Sequence, residues 1–63
     1  MAPREVIFEF FQIGNSVKVT AMDTETLTEV SVIAPATSSQ ADMRAAAVRK
    51  LQYVLNKQSA GKS

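Results

Sequence analysis

Gly14-Asn15 stands between two runs of β-forming residues and commits the first third of the chain to a hairpin. Before it, residues 5–13 read Glu-Val-Ile-Phe-Glu-Phe-Phe-Gln-Ile, rich in β-branched and aromatic side chains that suit a pleated surface. After it, residues 16–22, Ser-Val-Lys-Val-Thr-Ala-Met, alternate as a second strand. A two-residue connection needs a turn that matches the strand twist, and Gly in its first position suits type II′. Asp23-Thr24-Glu25-Thr26-Leu27 reads as a second turn, because the Asp23 carboxylate can accept from backbone N–H groups two or three residues on. Residues 28–34, Thr-Glu-Val-Ser-Val-Ile-Ala, form a third strand, closed by Pro35.

Turns fix register, so the two turns can be tested against each other. The first pairs Ile13 with Ser16, which sets Phe10 opposite Val19 and Phe8 opposite Ala21. A four-residue loop over 24–27 pairs Asp23 with Thr28, which sets Ala21 opposite Val30 and Val19 opposite Val32. One face then carries the rows Phe10–Val19–Val32, Phe8–Ala21–Val30 and Gln12–Val17–Ala34, a continuous apolar surface. Phe8, Phe10, Val19, Val30 and Val32 are expected at its centre. The other face carries Phe11–Lys18–Ile33, Glu9–Thr20–Ser31 and Ile7–Met22–Glu29. Ile7, Phe11, Met22 and Ile33 are unusual on a solvent face. Strand 1 is apolar on both sides and lies at a sheet edge, which invites pairing unless something covers it.

Residues 36–39 form a short link in which Ser38 or Ser39 is a natural N-cap, with Asp42 placed to favour the helix dipole. A helix is expected from Gln40 to Lys57. Met43, Ala47, Val48, Leu51, Val54 and Leu55 lie within about 140° of one another and form one stripe, in which Arg44 is the one charge. Tyr53 and Ala46 fall opposite that stripe. Residues 58–63 read as a frayed tail. With no internal repeat, residues 1–63 form a single domain with an ordered core over about 5–57. The fold class is α+β: a three-stranded antiparallel β-meander followed by one C-terminal α-helix packed on one face.

A chain of 63 residues is near the lower limit for folding without a disulfide, a metal or a partner. Cysteine is absent, which removes disulfides, thiolate nucleophiles and thiolate metal sites; histidine is absent, which removes the usual neutral-pH base and the commonest metal ligand. No cofactor or metal is expected. Self-association as a dimer or higher homo-oligomer is the remaining route to stability, with Ile7, Phe11, Met22 and Ile33 as its interface. Seven Lys/Arg against six Asp/Glu give a net charge of +1, which favours neither nucleic acid nor an anionic membrane. No apolar run approaches the roughly 20 residues that span a bilayer. Met1-Ala2-Pro3-Arg4-Glu5 lacks the pattern of a signal peptide, so a cytoplasmic location is expected.

The remaining motifs are weak. Gly61-Lys62-Ser63 ends like a phosphate-binding loop, but Asn56 stands where that loop needs glycine, and the pattern also needs a strand before it. Asp23, Glu25 and Glu29 fail the spacing of a calcium loop, because Leu27 and Thr28 occupy the next required places. Glu9 and Glu29 share a sheet face but lie on different strands and rows. The expectation is therefore a small non-enzymatic interaction or structural protein. The alternative is a weak nucleic-acid-binding module using Lys18 or the helix cations Arg44, Arg49 and Lys50. Its outer sheet face offers too few cations for a phosphate-tracking surface.

Glu5-Val6-x-Phe8-Glu9-Phe10, Gly14-Asn15-Ser16-Val17-Lys18-Val19-Thr20-Ala21, Asp23-x-x-Thr26-x-x-Glu29-Val30 and Arg49-Lys50-Leu51-x-Tyr53-Val54-Leu55 together resemble a family of short, uncharacterised proteobacterial proteins. The resemblance covers residues 5–57. Its motifs are structural and imply no catalytic or binding residue. The family's second hairpin reads Asp-x-x-Thr-Gly, and here Leu27 stands in place of the glycine. Either the loop is wider, or Leu27 adopts a left-handed backbone at a cost of about 1–2 kcal/mol.

Overall fold

A computed structural model describes the backbone of residues 5–60 and the side chains of residues 5–58. Three strands, β1 (Val6–Ile13), β2 (Ser16–Asp23) and β3 (Glu29–Pro35), precede one helix, α1 (Gln40–Ala60). The sheet is an antiparallel meander in the order β1-β2-β3. Its register is the one the turns require: Phe10 pairs with Val19 and Val19 with Val32, while Phe8 pairs with Ala21 and Ala21 with Val30.

Each turn is built by its own chemistry. Gly14 has φ 59° and Asn15 keeps a negative φ, the signature of type II′. Gln12 Nε2 donates to Gly14 O at 3.1 Å across that turn. In the second turn, Asp23 N donates to Thr28 O at 2.9 Å and Leu27 N to Asp23 O at 2.8 Å. Asp23 Oδ1 accepts from Glu25 N at 2.8 Å and more weakly from Thr26 N at 3.4 Å. The loop closes on four residues, and Leu27 takes the left-handed backbone, φ 61°. Its side chain is exposed, so little packing offsets that strain. Leu27→Gly is therefore expected to stabilise the chain by about 1 kcal/mol, part of the relief being lost to glycine's freer unfolded state. Urea unfolding should show a higher midpoint at unchanged slope. A lower midpoint would show that the leucine side chain contributes more than its backbone costs.

Ser39 is the N-cap: its Oγ accepts from Asp42 N at 3.1 Å and its carbonyl from Met43 N at 3.0 Å. Ser38 belongs instead to the preceding turn, where its N–H donates to Pro35 O at 2.9 Å. The helix continues to Ala60, past the expected end at Lys57 and through the first half of the expected tail. Gln58, Ser59 and Ala60 contain no helix breaker, so nothing stops it at Lys57. Gly61, Lys62 and Ser63 lie outside the described residues.

Met43, Ala47 and Leu51 of α1 are buried against Val17, Val19 and Ala21 of β2 and Val30 of β3. Val6, Phe8, Val32, Ala34, Ala36, Val54 and Leu55 surround this centre, partly buried. The core thus lies nearer β3 than the row pattern suggests. Phe8 and Val32 are peripheral, and Phe10, expected at the centre, remains 37% exposed. The reason is geometric. One helix is about 10 Å across, and strands lie about 4.8 Å apart, so it covers two strands, not three. The short link over 36–39 holds it on the side of β3, and Ala36 N donates to Asn15 O at 2.8 Å to fix the start of that link. Ala46, placed opposite the stripe by angle, is half-buried, while Tyr53 is exposed.

Candidate interaction surface

The two edges of the sheet differ in chemistry. In β3, the residues that pair by hydrogen bonds with β2 alternate with those that turn their polar groups outward. Asp23 N donates to Thr28 O, and Ala36 N to Asn15 O, so the even-numbered positions face β2. Glu29, Ser31, Ile33 and Pro35 therefore face the open edge. Lys50 Nζ reaches down from α1 and donates to Ser31 O at 2.8 Å. Pro35 offers no N–H at the end of the strand. A lysine and a proline are two standard means of blunting an edge, and β3 carries both.

β1 carries neither. Thr24 N and Oγ1 both donate to Glu5 O, at 3.1 and 3.2 Å, so odd-numbered positions of this strand face β2. Phe8, Phe10 and Gln12 turn their backbone N–H and C=O groups to the outer edge. No lysine or proline occurs within Val6–Ile13, and its only charge is Glu9. Both faces of the strand remain apolar and open: Ile7 is 49% exposed, Phe11 65% and Ile13 54%, beside Phe10 on the helix-bearing face.

Ile7, Phe11, Met22 and Ile33, expected together on the outer face, do share it. They do not form an unbroken patch. Exposed Lys18 separates Phe11 from Ile33, and the Thr20 and Ser31 hydroxyls, 3.1 Å apart, occupy the row between. Met22 is half-buried. Exposed apolar side chains line β1 on both faces instead, with Ile7, Phe11 and Ile13 on the outer face around Glu9 and Phe10 on the other; the row pattern did not mark Phe10 and Ile13 as surface. The signal was the single helix: a lid two strands wide, tethered at β3, must leave β1 uncovered.

The cations do not converge. Lys18 lies on the face opposite α1, Arg44 and Arg49 are exposed on the helix, and Lys50 is engaged with the β3 edge. Lys57 Nζ stands 5.7 Å from the centroid of the Tyr53 ring, a helix-surface pair. Among the described residues, no group of three or more acidic side chains is placed to hold a metal ion.

A family model described as a domain of unknown function, DUF6898, matches residues 3–58. The chain belongs to this family. The DUF6898 match takes in all three strands and most of α1, so the open β1 edge and the blunted β3 edge both lie inside it. No curated protein and no solved structure matches the chain. Among the described residues, no helix of this DUF6898 chain is long and apolar enough to cross a membrane.

Proposed function

We propose that this DUF6898 chain is a small, non-enzymatic cytoplasmic protein that works as a homo-oligomer. One observation carries the reading: β1 is apolar on both faces, and no proline or lysine within it blunts its edge. The size of the chain adds to it, since 63 residues without cysteine gain most from burying further surface. The lack of histidine and cysteine supports a role without catalysis. Nucleic acid is the weaker reading, because Lys18 and the helix cations sit on opposite faces and cannot track one backbone together.

Light scattering at micromolar concentration should give the mass of an assembly. Phe11→Glu should reduce that mass to one chain while circular dichroism stays unchanged, because Phe11 lies on the face away from the core. A wild-type chain that is monomeric at micromolar concentration would overturn the proposal. An assembled mass that survives Phe11→Glu would move the interface away from β1.

A further inference from the structure

We infer that the partner is a second copy of the chain bound edge to edge, with the two β1 strands antiparallel across a twofold axis at Phe10. The result is one continuous sheet of six strands, with both helices on the same side. This rests on the self-association reading and specifies its contact.

The pairing follows from the ladder. A twofold axis relating antiparallel edge strands runs perpendicular to the sheet, so it brings together residues of the same face. Phe8, Phe10 and Gln12 already present their N–H and C=O groups to that edge, and they form the hydrogen-bonded pairs of the new ladder. Two registers use nearly the full strand. In one, Glu9 meets Glu9 of the second copy in a non-hydrogen-bonded pair, with Cα atoms only about 4.5 Å apart. Like charges directly opposite are destabilising. In the other, slid by one residue in each copy, Phe10 meets Phe10 of the second copy at the axis. Phe8 then faces Gln12, Ile7 faces Ile13, and Glu9 faces Phe11. Glu9 is the one charge in the strand, so it selects the second register.

The surface suffices for a small dimer. At about 200 Å² for a large apolar residue, the exposed fractions of Ile7, Phe10, Phe11 and Ile13 amount to about 400 Å². That is half of the roughly 800 Å² each partner contributes to a standard interface. The strand backbone, Phe8, Glu9 and Gln12 add to it. Because Lys50 and Pro35 blunt the β3 edge, the sheet cannot continue at its far sides, and the assembly closes at two copies.

Amide hydrogen exchange on the wild-type chain tests this directly. The N–H groups of Phe8, Phe10 and Gln12 should exchange about tenfold more slowly at 100 times the dissociation constant than in dilute solution, to order of magnitude. Those of Ile7, Glu9 and Phe11, bonded to β2 in either state, should change less. A second measurement uses single cysteines in this cysteine-free chain. Phe10→Cys should oxidise to a cross-linked dimer, since Cα atoms about 5.5 Å apart accept a disulfide. Ile33→Cys should not. A dimer whose Phe8, Phe10 and Gln12 amides stay fast and whose Phe10→Cys variant does not cross-link would overturn edge pairing and leave self-association standing. A monomer at every concentration would remove both.

Discussion

Leu51→Ala is expected to leave the chain largely unfolded in dilute solution. Leu51 is 2% exposed and is the largest side chain the helix buries in the core. Truncating a buried leucine costs about 3 kcal/mol, within a range of 2–5. A chain of this size holds about 3–9 kcal/mol in total, at 0.05–0.15 kcal/mol per residue. The loss is thus comparable with the whole. Helix and sheet signals should disappear together, because among the described residues α1 is what covers the inner face of the sheet. The urea midpoint should fall by about 3 M, given a slope of about 1 kcal/mol/M for a small protein. Raising the protein concentration should recover part of the loss, because assembly binds only the folded chain. A loss below about 1 kcal/mol would show that the helix contributes little to holding the sheet.

How this fold follows from its residues also shows where sequence stops being informative. The hairpin was legible because Gly14 alone can supply the positive φ its turn requires, and because both flanking runs are β-formers. The second turn was legible through Asp23, and the helix through Met43, Ala47 and Leu51 at successive i+4 positions. These are local rules, each acting over a few residues. Which strands the helix covers is a different kind of fact. It depends on the width of a helix, the spacing of strands and the reach of a four-residue link. An alternating strand pattern carries none of these, so Phe10 looked central and is not. The lock on β3 was equally hidden. Lys50 borders the buried stripe, and only the three-dimensional arrangement shows that its ammonium meets Ser31 O at the sheet edge. The open β1 edge was visible in composition from the start, but its contrast with β3 needed that one contact.

Asp23→Ala is the second large effect. Asp23 is fully buried at the end of β2, and its side chain and backbone together define the turn. Its N–H and C=O close the loop against Thr28 and Leu27, while Oδ1 accepts from Glu25 N. Alanine keeps the two backbone bonds and removes Oδ1, the acceptor that Glu25 N–H and, more weakly, Thr26 N–H use in this part-buried site. A hydrogen bond to a charged acceptor is worth about 1.5–3 kcal/mol, so a loss of about 2 kcal/mol is expected in the urea midpoint. Asp23→Asn retains an oxygen at the same place and should cost less. The effect should also reach β1. Thr24, the next residue, donates twice to Glu5 O and so pins the start of that strand to the sheet. Once the turn loosens, the first half of β1, with Ile7 and Phe8, loses its backing. The edge that is proposed to pair is then no longer held straight. Asp23→Ala should therefore weaken assembly under conditions where most of the chain is still folded, and Asp23→Asn should do so less. If Asp23→Ala lowers the unfolding midpoint while the assembled mass keeps its wild-type concentration dependence, the turn supports the fold but not the interface.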